Sequence, residues 1–594
     1  MIVRCFAAAA LLTCGLATVA SAETAATANA TPAWVTQSNL DAQFLLKAMA
    51  QFHPEYASRI GFAGYDERSI DLKPDLPARE RAAFDAACTQ LQQILASETD
   101  ANVRRDLEIM IKAAERRIQS SRLHEKYMLP YENVGQTIFQ GEFGLLQDQV
   151  APERRVAARK RLECYVGIAP GCVALTKEAE AAYVAKLSDK HLLSPYKAQV
   201  EQDLANTSRY IDGVRKLYEK YKIDGAEPAL AALDKQLRAH DAWVKSSVLA
   251  HARTDFRLPP ELYANNLKDV GLDITPEQLI RKAEIEFMET RAQMQMLAPI
   301  VARAEGSDAT DFHDVLKLLK KQQLGRDSIE PYYHDIISKV EAIIRDHGLV
   351  SLPQRAMIMR LASEAESASS PAPHMQPPPL IDNHGERGSF ILPLGNPPKD
   401  GGAGNDEVYD DFTCKACAWT LTSHEGRPGH ELQFSAMVEH GVSLARSLFA
   451  QNSVNVEGWA LYSEYMMLPF EPPSGQMIAL QMRQQRAARA ILDPMLNLGL
   501  ISRERAHDVI VNEVGLSEAL AREELDRFMF RSPGQATAYF YGYTRLLELR
   551  AHVELAQGKD FNLKALNDFI IAQGLLPPDQ LQEAVETGFL PHPK

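Results

Sequence analysis

Positive charge is in short supply in this chain: 64 Lys and Arg stand against 78 Asp and Glu, for a net charge of −14. Binding to nucleic acid relies on basic side chains that displace counterions from phosphates, so that role has no electrostatic support. Beyond Ala22 no apolar run reaches the roughly 20 residues that a membrane-spanning helix needs. There is no G-x-S-x-G elbow and no glycine-rich phosphate loop, so serine hydrolysis and nucleotide chemistry lack support. No segment repeats at a fixed period. Convincing strands are few. Cysteine is sparse as well, which argues against a disulfide-built scaffold.

What is present is a globular composition, 46% hydrophobic and 24% charged, with ample length for a sizeable core. The first residues read as an export signal. Arg4 supplies positive charge, Cys5 to Val19 is a short apolar stretch, and Ala20-Ser21-Ala22 has the small residues of a cleavage site. The expected location is periplasmic or secreted. Lipidation at Cys14, within Leu11-Leu12-Thr13-Cys14, is the alternative, and Thr13 is a poor residue to precede a lipidated cysteine. Cleavage after Ala22 leaves Cys88, Cys164, Cys172, Cys414 and Cys417, an odd number. Cys164 and Cys172 are close enough to close a small loop in an oxidising compartment. Cys414-Lys415-Ala416-Cys417, without a second pair, reads as thiols or a local disulfide.

Helical periodicity dominates. Arg79–Ser97, Pro195–Tyr221, Pro276–Ala302, Ile329–His347, Gln476–Leu498 and Ser517–Phe530 carry apolar residues three and four apart, with Ser517 as an N-cap. Pro494 is placed to kink or end its helix, and Pro533 to open the helix running to Gln557. Ser363–Pro379 reads as a loop or linker, and the glycine-rich Lys399–Asn405 as a second loop. Between them, Gly388-Ser389-Phe390-Ile391-Leu392-Pro393-Leu394-Gly395 is the best short strand, and its proline argues for an edge position. An edge strand could bind substrate backbone by strand addition; a buried apolar loop is the equal alternative. The organisation expected is a signal at 1–22, an N-terminal helical region at 23–362, a linker and edge-strand segment at 363–405, and a C-terminal helical region at 406–594.

The densest chemistry lies in His424-Glu425-Gly426-Arg427-Pro428-Gly429-His430, followed by Glu457-Gly458-Trp459-Ala460. This is a stretched form of H-E-x-x-H, in which two histidines on one helical face hold zinc and the glutamate takes the proton of the attacking water. Here the histidines are six apart, which turns them about 120° away from each other on a straight helix. The motif therefore predicts an irregular helix between Glu425 and His430, and Pro428-Gly429 supplies the break. Glu457 is the expected third ligand. Glu464, two turns on, is expected to orient a histidine, and the two carboxylates could exchange roles. Surface His and Glu are common on helices, but the apolar setting of Glu457 (Val456, Trp459, Ala460, Leu461) calls for a partner such as a metal. Arg486-Ala487-Ala488-Arg489 with Asp493 reads as a salt-bridged helix face.

The run from His424 to Gln433, that from Glu457 to Glu464, and Pro533-Gly534-Gln535-Ala536-Thr537-Ala538-Tyr539-Phe540-Tyr541-Gly542 resemble, in order, the signatures of the bacterial domain of unknown function 885. That family is similar to all-helical zinc peptidases of the angiotensin-converting-enzyme and oligopeptidase type. The resemblance implies a mostly α, large metallopeptidase-like fold with an internal cleft and a short edge strand or small sheet near the site. The family pattern has alanine at Gly426 and a second histidine at Glu431, so Glu431 competes with His430 for a ligand role; His430 is the expectation. By the same motif Tyr539 stabilises the oxyanion. Tyr541 and Tyr543 read as packed aromatics, Gln535 as a substrate contact or cap, and Arg531 or Arg545 as a partner for a substrate carboxylate.

The expectation is an exported zinc metallohydrolase that cleaves short peptides. Zinc is held by His424, His430 and Glu457, with Glu425 as general base and Tyr539 on the oxyanion. A zinc amidase or esterase acting on cell-wall or small-molecule substrates is one alternative. A non-catalytic helical binding protein with a degenerate site is the other.

Overall fold

The computed structural model describes residues 31–394 and 409–590. The export signal and the loop at 399–405 lie outside the described residues. The helical periodicity is realised almost throughout, and the fold is mostly α with one small sheet.

The helices that position the site begin with α1 (Ala33–Phe52), α2 (Leu76–Leu95) and α3 (Ala101–Tyr127), which pack on one another. Next come α4 (Val134–Leu145) and α5 (Lys197–Tyr221), a pair with its own satellite core around Phe139, Tyr165 and Tyr210. Then follow α6 (Pro276–Ala304) and α7 (Arg326–Asp346). Strands β1 (Ile358–Leu361), β2 (His374–Gln376) and β3 (Ser389–Leu392) form the sheet. Beyond it run α8 (Cys417–Glu425), α9 (His430–His440), α10 (Ser453–Met467), α11 (Pro473–Asn497), α12 (Glu518–Asp526) and α13 (Thr537–Gln557). The main core joins both halves of the chain, with Leu45, Phe287 and Ile336 in one cluster with Leu432, Leu480 and Leu525. A buried Asp106–Arg446 pair (2.7 Å), backed by Ser38 and Ser443, adds a polar tie between the same halves.

Three local expectations are corrected. The strand Ser389–Leu392 is the centre of the sheet, in the order β1-β3-β2, and every residue of it is buried. It pairs parallel to β1 and antiparallel to β2, so Pro393 ends a central strand from just outside it. The segment from Ser363 is not all loop. Ser363 and Glu366 form a capping box that starts a short helix, Glu364–Ser369. Pro533 does not open the last long helix. Gly534 takes φ +96° in a turn, its N–H donates to Asp493, and the helix starts at Thr537.

Pro494 neither ends α11 nor stops it short of Asn497. Ser517 caps α12 as expected, accepting from the Leu520 N–H. Both disulfides, Cys164–Cys172 and Cys414–Cys417, are closed, and Cys88 is buried and free among the described residues. No described helix is long and apolar enough to cross a membrane.

Candidate metal centre

The local sequence breaks one helix into two. Helix α8 ends at Glu425, and α9 begins at His430, with Gly426–Gly429 between them. A proline cannot supply the N–H that would continue α8, and Gly429 packs where a side chain could not. A Cβ there would stand 1.9 Å from the His424 carbonyl oxygen. The indole N–H of Trp459 donates to the Pro428 carbonyl at 2.9 Å, fixing the turn against α10. The break swings His430 back beside His424, and the two rings meet edge to face with centroids 4.8 Å apart.

Glu457, from the first turns of α10, completes the group. One donor atom from each of His424, His430 and Glu457 lies within 4.8 Å of the other two. The Glu457 Oε2 atom stands 3.3 Å from His430 Nε2 and 3.7 Å from His424 Nε2. That oxygen is buried and has no hydrogen-bond partner among the described residues. Two imidazoles and a carboxylate are a donor set suited to zinc, and an orphaned buried carboxylate oxygen facing both rings fits such an ion. Burial raises the Glu457 pKa, but the two histidines outweigh it and hold this carboxyl well below its usual range.

Glu464 takes the orienting role. Its Oε1 accepts from His424 Nδ1 at 2.7 Å, which leaves Nε2 as the atom facing Glu457. Arg486 donates to the same oxygen at 3.2 Å. For His424 burial alone would lower the pKa; Glu457, Glu464 and Glu425 overcome it and bring it up to about 9. Glu425 is buried beside the cluster, its Oε1 3.9 Å from His424 Nε2. Glu431 faces elsewhere. It accepts from Arg427 at 2.6 Å and from Ser435 at 2.6 Å, and no oxygen of it joins the histidine group.

The cluster opens into a cleft of about 860 Å³, within the range of small-molecule sites. His424, Glu425, His430, Glu457, Gln535 and Tyr539 all line it. Gln535 points its amide at Glu457 Oε1, 3.4 Å away. The opposite wall comes from α4, α5 and the edge strand β2, so the sheet edge nearest the cluster belongs to His374–Gln376.

Tyr539 lies parallel to the His424 ring at 6.2 Å between centroids. Arg527 donates to its hydroxyl at 3.2 Å. Arginine can only donate, so the Tyr539 O–H hydrogen is left to point away from Arg527. Arg489 sits over the ring face at 4.4 Å and holds Glu524 through two bonds of 2.6 and 2.7 Å. Burial and the Glu457 charge raise the tyrosine pKa, against the two arginines.

Arg486 and Arg489 are salt-bridged, but to other helices and not to Asp493: Arg486 serves Glu464, Arg489 serves Tyr539 and Glu524, and Asp493 takes the Gly534 N–H. Their spacing put them on one face, but only the fold turned that face inward. Arg531 lines the cleft and is paired with Glu523 and Gln202. Arg545 lies outside the cleft lining, bonded to Tyr541. Tyr541 and Tyr543 pack in the core, as their helical spacing suggested. Arg527 was missed, because nothing in the run Asp526-Arg527-Phe528 separates it from a surface arginine.

A family model described as "Bacterial protein of unknown function (DUF885)" matches residues 54–585. Two solved structures are similar. One is a candidate lipoprotein from Colwellia psychrerythraea, 18% identical, with a TM-score of 0.73, covering 92% of this chain and 98% of that one. The other is a candidate lipoprotein of unknown function from Shewanella oneidensis, 19% identical, with a TM-score of 0.68, covering 94% and 100%. At these identities the likeness concerns the fold alone. No curated protein matches the chain.

Proposed function

The chain belongs to the DUF885 family, and from that membership and the site geometry we propose that it is an exported, zinc-dependent peptidase acting on short peptides. One observation carries the reading: two imidazoles and a carboxylate with one unpartnered oxygen converge in the lining of a cleft, with a second carboxylate, Glu425, beside them. His424, His430 and Glu457 would hold the ion. Zinc in such a site supplies Lewis-acid polarisation and a water acidic enough to react near neutral pH.

The chain's own residues do the rest. Glu425 accepts the proton of the attacking water and passes it to the leaving amine. Tyr539, whose hydroxyl already accepts from Arg527, aims its remaining hydrogen at the developing oxyanion. Glu464 keeps His424 in one tautomer and one orientation. The resemblance of the sequence motifs to those of all-helical zinc peptidases is consistent with this reading by analogy only. The neighbours' description as candidate lipoproteins raises lipidation at Cys14 to equal standing with cleavage after Ala22. Either route places the chain outside the cytoplasm.

The test is elemental analysis of the mature protein beside His430→Ala, then hydrolysis of a peptide panel beside amide and ester panels. About one zinc per chain, lost in the variant, with turnover confined to peptides, is expected. No metal in either protein after incubation with zinc would leave a non-catalytic binding protein. Turnover of amides or esters alone would make it an amidase or esterase.

A further inference from the structure

The Glu457 side chain faces two cavities. Among the described residues, a second space of about 550 Å³ is walled by α3, by Asp269, and by the turn entering α10. Gln451, Val456 and Glu457 line both this space and the main cleft. The two cavities therefore adjoin along these residues, and Glu457 is the member of the candidate metal centre that both share.

Both carry charges of both signs, and what differs is how fully their cations are paired. The main cleft carries side chains of both signs, among them Arg527 and Arg531 against Asp203 and Glu523. The second cavity has two guanidiniums, Arg116 and Arg117, and one acid besides Glu457. That acid, Asp269, already accepts from Ser120 and from Asn265. Arg117 is committed to Glu80, at 2.7 and 3.0 Å, and to His53. Arg116 is not committed. Among the described residues its one hydrogen bond reaches the Phe449 carbonyl at 3.5 Å, the far limit of such a bond. Burial lowers the Arg116 pKa and Asp269 only partly offsets this, the condition of a cation short of an anion.

We propose that the second cavity is a subsite for the C-terminal carboxylate of a peptide, received by Arg116. The peptide would lie across Glu457, with its N-terminal part in the main cleft and its short leaving fragment in the second cavity. This deepens the peptidase reading and rests on it: the substrate class becomes peptides with a free C-terminus close to the cleaved bond. Guanidinium and carboxylate match in planar, two-point geometry, which gives the site a reason to prefer an acid over an amide.

The test uses the full mature chain with Glu425→Gln to prevent turnover. Binding of N-acetyl-dialanine and of its C-terminal amide is measured by calorimetry, with Arg116 intact, as Arg116→Gln, and as Arg116→Lys. With Arg116 intact the acid should bind about tenfold more tightly than the amide, the scale of one charge-assisted contact. Arg116→Gln should equalise the two, and Arg116→Lys should retain part of the preference, which also controls for folding. Equal binding with Arg116 intact, no binding of the acid, or a preference that survives Arg116→Gln would overturn the proposal. Because the readout needs no turnover, it separates from failure of the peptidase reading, which metal content and the peptide panel decide on their own.

Discussion

Glu425 and Glu464 flank the same histidine and are both buried, yet the geometry gives them different work. Glu464 is bonded to His424 Nδ1 and Arg486, whereas Glu425 lines the cleft. Substituting each by glutamine keeps size and removes charge. Glu425→Gln is expected to leave zinc content unchanged and to lower kcat by about 10²–10⁴-fold, the usual worth of a general base. Glu464→Gln is expected to weaken zinc affinity by about 10–100-fold, read by competition with a chelator, because the acceptor that orients His424 loses its negative charge. If Glu425→Gln emptied the site instead, the two assignments would have to be exchanged. His424-Glu425 and His430 were legible as chemistry from residue type and spacing. The choice between Glu457 and Glu464 was not, since two turns of helix put both on one face.

At the scale of elements, the site depends on how closely α10 and α13 approach, because one carries Glu457 and the other Tyr539. They cross at two glycines. A Cβ on Gly458 would lie 2.5 Å from the Gly542 backbone, and one on Gly542 would lie 1.9 Å from the Val454 carbonyl oxygen. Neither contact can be relieved by a side-chain rotation. Gly542→Ala is therefore expected to force the helices apart and to destabilise the protein by about 1–3 kcal/mol, measured by chemical denaturation. It should lower kcat as well, although residue 542 touches no substrate. A stable variant with full activity would show that the approach is not required.

Both glycines stood in the sequence within motifs, Glu457-Gly458-Trp459 and Tyr541-Gly542-Tyr543. Nothing local revealed that they face each other, because helix contacts between distant segments leave no periodic trace. The strand Ser389–Leu392 is the reverse case: its apolar run was legible, but its place in the sheet depended on β1 and β2, neither of which reads as a strand on its own.

For the molecule as a whole, several buried acids set how stability varies with pH. Burial brings Glu142 and Glu471 up to about 8 and Asp493 up to about 7. An acid with a raised folded pKa keeps its proton in the native state after the unfolded chain has lost it. Stability then falls as pH rises from the ordinary carboxylate value through the folded value. Carboxyls held low by partners, such as Glu80 and Glu366, contribute fully above their unfolded value and lose stability only in stronger acid. The thermal midpoint of chelator-treated protein is therefore expected to decline between about pH 5 and pH 8, and Glu142→Gln should flatten the decline. A midpoint rising over that range would mean that other groups govern it.

The sequence by itself determined the helical class, the net negative charge, the export signal as an expectation, and the residue types of the candidate site. These follow from periodicity, charge and short-range spacing, which act within a few residues. Only the tertiary structure decided that Gly426–Gly429 brings His430 back beside His424, that Glu457 rather than Glu464 faces both rings, and that Arg486 and Arg489 point inward. Those outcomes depend on α8, α10, α11 and α13 closing around one point, and packing between segments so far apart in the chain has no local signature.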